Sequence, residues 1–186
     1  MVVYWRRIDA PGIERLAISA GSRKISVVST VISAADGGFQ IAHDWTFTPN
    51  WRTRSVRLKR LGPNGSRGVT LERDGYGWMV DGNRRSDLDG ADEPDLSVTP
   101  FCNTLPIRRL LARSDQTLTI DVAYINGEDL TVSRSRQRYS RSGPERIRYF
   151  DLGLFSGFEA ELVIDREGLV ERYEGLFERV KVFGSD

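Results

Sequence analysis

An all-β chain is what this sequence predicts: a strongly curved antiparallel sheet or β-barrel, with one short helix laid against it. Three observations carry the prediction. Turn dipeptides recur along the chain, at Asp36-Gly37, Asn64-Gly65, Asp74-Gly75, Asp81-Gly82, Asn126-Gly127, Ser142-Gly143 and Glu167-Gly168. Asn-Gly and Asp-Gly suit the positive-φ positions of hairpin turns. The segments between them are strand-sized, as in an antiparallel meander. The long segment that does not alternate is Asp95 to Arg109, DLSVTPFCNTLPIRR, which is where a helix belongs.

Taken in order, Tyr4 to Ile8 is a short first strand, followed by Ile13 to Ala20 and Lys24 to Ser33. The third is rich in β-branched residues (Ile25, Val27, Val28, Thr30, Val31, Ile32). The cleanest alternation comes next: Phe39, Ile41, His43, Trp45 and Phe47 share one face, which period 2 turns toward one interior. Trp51 to Leu61, with Val56 and Leu58 inward, then Arg67 to Arg73 and Tyr76 to Val80 continue the meander. The polar stretch SDLDGADEP follows, and Asp87, Asp89, Asp92, Glu93 and Asp95 crowd one loop that reads as solvated; their spacing matches no calcium loop.

In the central stretch, Pro100 and Pro106 bias the residues before them away from helix. The helix is therefore expected to start at or just before Pro106, capped by Asn103 or Thr104. Ile107, Leu110 and Leu111 fall on its apolar face. Beyond it, Leu118, Ile120, Val122 and Tyr124 share a face. From Thr131 to Tyr139, Arg134, Arg136 and Arg138 oppose Ser133, Ser135, Gln137 and Tyr139. Ile147 to Asp151, Phe158 to Asp165 and Leu169 to Tyr173 complete the sheet, with Phe177 in a last short segment. About ten or eleven strands result, and a sheet that large curls or closes.

The 186 residues suit a single domain, 1–186, able to bury a core without staples. A formal net charge of +1 signals neither a nucleic-acid partner nor an acidic protein. Three lysines (Lys24, Lys59, Lys181) leave 24 of the 27 cationic side chains as arginine. Cys102 is the single cysteine, so neither disulfides nor a thiolate metal cage are expected. The N-terminal MVVYWRR lacks the apolar core of a signal peptide, and no run reaches the roughly 20 apolar residues of a membrane span. A cytoplasmic protein without membrane insertion is the expectation.

Candidate chemistry lies in three groups. Trp5, Trp45, Trp51 and Trp78 offer large apolar faces with one N–H each, fit either to fill a core or to line a pocket for an acyl chain or sugar ring. Gln137 and Tyr139 point inward if their arginine neighbours face water, which suits a polar-lined cavity; a strand end wet on both faces would place them equally well. Arg52, Arg54, Arg108 and Arg109 could meet an anionic head group, or pair with Asp81, Asp92, Asp95 or Asp165. The Arg134/Arg136/Arg138/Arg141 stripe has no interleaved aromatics and reads as a solvated face rather than a nucleic-acid site. His43, the only histidine, stands among apolar residues and reads as a satisfied core residue. No nucleophile elbow or phosphate-cradling loop occurs.

The block LSVTPFCNTLPIRRL, Leu96 to Leu110, resembles the strongest block of the putative glycolipid-binding family of small bacterial proteins, long described as a domain of unknown function. Flanking matches are WRTR at Trp51 to Arg54, GWMVDG at Gly77 to Gly82, Gln137 with Tyr139, and GFEAELVIDREGLVERYEGLFERV from Gly157 to Val180. The chain departs from the family pattern at Gly90-Ala91, where a Gly-Cys pair is expected, and at Cys102, where a threonine is usual. The resemblance implies a barrel-like sheet wrapping a central helix, similar to bacterial lipoprotein-carrier folds. It implies binding or carriage of an amphiphilic small molecule, a glycolipid being the named class. The ligand-binding set is accordingly Trp45, Trp51, Arg52, Arg54, Trp78, Asn103, Arg108, Gln137 and Tyr139, with no cofactor, metal ligand or catalytic residue. The alternatives are an enzyme acting on such a ligand, through His43 or the Asp92/Asp95 region, and a filled-barrel protein-interaction module.

Overall fold

The structure is a computed structural model that describes residues 1–35 and 37–181. Asp36 of the expected Asp36-Gly37 turn lies outside the described residues. The first arm of the sheet comprises β1 (Val2–Arg7), β2 (Gly12–Ala20), β3 (Ile25–Ser33), β4 (Phe39–Phe47), β5 (Thr53–Gly62), β6 (Gly65–Asp74), β7 (Gly77–Val80) and β8 (Asn83–Arg85). The second comprises β9 (Glu93–Leu96), β10 (Thr117–Ile125), β11 (Val132–Gly143), β12 (Arg146–Asp151), β13 (Glu159–Ile164), β14 (Val170–Tyr173) and β15 (Phe177–Arg179). Helix α1 (Thr104–Leu111) lies between β9 and β10 in sequence.

All fifteen strands form one sheet, β8 through β1, then β15 back through β9. Successive hairpins build each arm, and the antiparallel β1–β15 pair joins them, Trp5 opposite Arg179. Among the described residues only β9 pairs in parallel, with β10. The strand count exceeds the expected ten or eleven: all twelve segments named from the sequence form strands, and β8, β9 and β15 add three more of three or four residues, too short to show a period.

Connectivity forces strong curvature. Laid flat, the edge strands β8 and β9 would be about 67 Å apart at ~4.8 Å per strand. The chain between Arg85 and Glu93 spans at most about 28 Å. The edges therefore face each other across a seam, yet the sheet does not close into a barrel, which corrects that alternative of the sequence reading. Pro94 removes a ladder donor from β9, and β8 has only three residues to offer. Side chains stitch the seam instead: Arg85 Nη2 donates to the Val132 carbonyl at 3.0 Å, and Arg73 donates to the Asp92 carbonyl.

Alternation along β4 holds as read: Phe39, Ile41, His43, Trp45 and Phe47 are all buried. On β11, Ser135, Gln137 and Tyr139 point inward while Arg134 and Arg136 are exposed. The helical segment starts earlier than predicted. A 3-10 turn, Pro100–Asn103, runs directly into α1, and Thr99 caps it by accepting from the Phe101 N–H at 3.1 Å. Pro100 presets the turn and needs no donor partner, so the cap moves upstream of Asn103 and Thr104. Neither side chain caps α1: Asn103 makes no cap bond, and Thr104 Oγ1 is buried without a partner.

The helix is wedged inside the curve. Phe101 and Leu105 join a core with Trp5, Trp45, Phe47 and Trp78 under the first arm. Ile107 and Leu110 join a second core with Leu118, Ile120, Tyr139, Ile147 and Leu162. Among the described residues no helix is long and apolar enough to cross a membrane.

Candidate functional site

The second arm leaves a cavity of about 370 Å³ between its concave face and the helical segment. Period-2 alternation turns Tyr149 and Asp151 of β12 inward, and Tyr173 and Phe177 of β14 and β15 follow. Tyr124 of β10 and the loop 152–158 complete the wall, with Asp95, Thr99 and Asn103 at the polar end. The rings form a continuous surface: Tyr173 lies 6.0 Å from Tyr149, 6.4 Å from Phe158 and 6.2 Å from Phe177. Tyr124 and Phe155 meet edge to face at 5.4 Å. Phe155 and Phe158 remain 53% and 40% exposed, so the mouth is apolar too.

A polar chain runs behind this wall. Gln137 Nε2 donates to Asp95 Oδ2 at 2.6 Å. The Tyr139 hydroxyl lies 2.9 Å from Gln137 Oε1 and 3.0 Å from Asn103 Oδ1, its one proton serving either acceptor. Asn103 Nδ2 donates to the Pro100 carbonyl. Asp151 is an ordering residue: Oδ1 accepts from the Gly153 and Phe155 N–H groups at 2.8 and 3.0 Å, and Oδ2 from the Tyr149 hydroxyl at 3.2 Å. Burial pushes the half-buried Asp95 carboxyl up to about 6; the Asp151 charge adds to the rise and the Gln137 bond opposes it. Burial also raises the Tyr139, Tyr149 and Tyr173 phenols, which stay neutral.

A second hollow, of about 560 Å³, lies where the β4–β5 turn meets the helix. Trp51 adopts φ +62° there, a strained conformation for a bulky residue. The Arg52 N–H to Thr48 Oγ1 bond and the Trp51 N–H to Thr48 carbonyl bond, both 3.0 Å, hold the turn. Arg108 stacks on the Trp51 ring at 4.5 Å. Arg109 pairs with Asp92 at 3.0 Å, and Glu93, buried and raised in pKa by that burial, accepts from the Thr53 N–H.

The sequence-predicted residues are thus divided. Trp51, Arg52 and Arg108 line the arginine-bearing hollow. Asn103 lines the aromatic cavity, with Gln137 and Tyr139 behind it. Trp45 is buried in the first core, donating to His43 Nδ1 at 2.8 Å. Trp78 is buried beneath Arg73, its N–H on the Ala91 carbonyl at 3.0 Å. Arg54 is exposed on the outer face of β5. His43 is fully buried with Nε2 3.1 Å from Glu14 Oε1, away from both hollows.

Sequence reasoning missed Asp151, Tyr149, Phe155, Phe158 and Tyr173, although the alternation Ile147, Tyr149, Asp151 and the apolar FDLGLFSGF were there to read. It also took Glu93 and Asp95 for part of a solvated loop; parallel pairing of β9 with β10 draws both inward. Among the described residues, no group of three or more His, Cys, Asp or Glu is placed to hold a metal ion.

The family model described as putative glycolipid-binding matches residues 2–179. Among solved structures, the chain is similar to a DUF1089 family protein from Pseudomonas aeruginosa: 29% identity, a TM-score of 0.76, and coverage of 90% of this chain and 92% of that one. No curated protein matches.

Proposed function

We propose, on the premise that this chain belongs to the putative glycolipid-binding family, that it binds an amphiphilic small molecule whose apolar part enters the aromatic cavity. The observation that carries this reading is a ring-walled space of about 370 Å³ beside a packed core. Its size falls within the range of small-molecule pockets. An alkyl chain there gains about 0.8 kcal/mol per buried CH₂, so six carbons offset much of the cost of ordering. The rings suit a sugar face, and Asp95 and Asn103 offer polar partners for its hydroxyls. Of the residues expected from sequence, Asn103, Gln137 and Tyr139 support this reading directly. Trp51, Arg52 and Arg108 form a separate station, suited to an anionic group. Trp45, Trp78 and Arg54 have no part in it.

The test is native mass spectrometry of the protein purified from its own host, followed by calorimetric titration with alkyl glycosides of increasing chain length. Affinity should rise with chain length, and Phe158→Ala should weaken it at least about fivefold. No co-purifying amphiphile and no binding at any chain length would sink the proposal.

The raised Asp95 carboxyl, facing a cavity with a second carboxylate, favours one further reading, an enzyme that uses Asp95 as acid or base on such a ligand. Turnover of a chromogenic glycoside that disappears in Asp95→Asn, with binding retained, would favour it over simple carriage.

A further inference from the structure

We propose, resting on the amphiphile-binding reading above, that the aromatic cavity selects a ligand whose head carries a cationic nitrogen, a protonated amine or a quaternary ammonium group. The charge of the lining points there. The cavity presents Asp95 and Asp151 and no Lys, Arg or His. In a chain with 24 arginines, that exclusion sets this wall apart from the other hollow, which holds Arg52, Arg108 and Arg109.

The two carboxylates are not equivalent. Asp151 has both oxygens engaged by protein donors. Asp95 receives one bond, Gln137 on Oδ2, and among the described residues no group donates to its Oδ1. Gln137 and Tyr139 of β11, Tyr149 and Asp151 of β12, Tyr173 of β14 and the Cys102 thiol surround it, none of them cationic. A carboxylate in an apolar site beside a second carboxylate lacks a counter-charge, which is the reason its proton is held so tightly. A cationic head supplies that charge.

The rings supply the rest of the recognition. Tyr149, Phe158, Tyr173 and Phe177 are contiguous, and Tyr124 with Phe155 forms another aromatic pair in the wall. Aromatic faces carry negative potential, and rings combined with a carboxylate are the usual means of holding a quaternary ammonium. An anionic head meets repulsion from both carboxylates and no cationic side chain in the lining.

Calorimetric titration of the full chain with octyltrimethylammonium, octyl glucoside and octyl sulfate, each below its micelle concentration, tests this at constant tail length. Octyltrimethylammonium should bind at least about tenfold more tightly than either other probe. Its affinity should weaken as pH falls through about 6, where Asp95 takes its proton; the probe itself does not titrate, so the change belongs to the protein. Asp95→Asn should abolish the preference, while Asp115→Asn, the same charge change at an exposed position, should keep it. The pH series on the unaltered chain decides the matter even if Asp95→Asn folds poorly. Equal binding of all three probes, or preference for the glucoside or sulfate, overturns the cationic head and leaves the amphiphile reading standing. Binding of none overturns both.

Discussion

Strands β1–β8 close over Trp5, Trp45, Phe47, Trp78 and Phe101, all fully buried, whereas β10–β15 curve around a cavity walled by tyrosine and phenylalanine. The same sheet, with the same helical wedge, packs its inward tryptophans into a core in one arm and leaves a ring-walled cavity beside the core of the other. Each buried indole N–H in the first arm ends on an internal acceptor: the Val170 carbonyl for Trp5, His43 for Trp45, the Ala91 carbonyl for Trp78. None of these three indole N–H groups is left to recruit a ligand. In the second arm, Tyr149 and Asp151 stand at inward positions that aliphatic residues would otherwise fill, and their bonds hold polar atoms at the wall instead of packing across it. Bulk fills, and polar inward residues keep space open.

The largest expected effects test whether the first arm is truly solid. Trp45→Ala and Phe101→Ala should each cost about 3–5 kcal/mol, seen as a lowered denaturation midpoint. Phe101 packs at 5.9 Å from the Trp45 ring and 6.1 Å from Phe47. Unchanged stability in either variant would mean that this arm has room to repack, and the contrast would fail.

A smaller effect, opposite in sign, tests the charge at the cavity. Asp95 holds its proton up to about pH 6 in the folded chain, above its ordinary value of 3.8. Its contribution to stability is therefore complete in acid and is lost as pH rises through 6. Asp95→Asn should stabilise the protein by about 1–3 kcal/mol at pH 8 and by almost nothing at pH 3, below the ordinary carboxyl value. Equal midpoints at both pH values would show that Asp95 is well solvated.

Phe158→Ala sharpens the contrast further. The side chain is part of the cavity mouth and 40% exposed, so its loss should cost less than about 1 kcal/mol while weakening ligand binding. A loss as large as that of Phe101→Ala would make the mouth part of a core. Least of all, Arg54→Ala on the outer face of β5 should change stability by under about 0.5 kcal/mol and leave ligand titrations unaltered. A measurable loss of binding would return Arg54 to the ligand site.

Much of this was legible in the sequence because it is local. Turn dipeptides mark hairpins through backbone preferences of two residues, and alternation along β4 and β11 assigns inward faces through the geometry of a single strand. The all-β class, the curved sheet and the short helix followed from such signals, whereas the family followed from the resemblance of the Leu96 to Leu110 block and its flanking matches. Alternation states which face a side chain occupies, but not what stands opposite it. Trp45 and Tyr149 are both inward aromatics; only tertiary packing made one a core residue, against Phe47 and Phe101, and the other a cavity wall. Likewise, Asp95 reads as a loop carboxylate until β9 pairs with β10 and brings it beside Gln137, 42 residues away. Such a meeting depends on long-range pairing, and no window of neighbouring residues contains it.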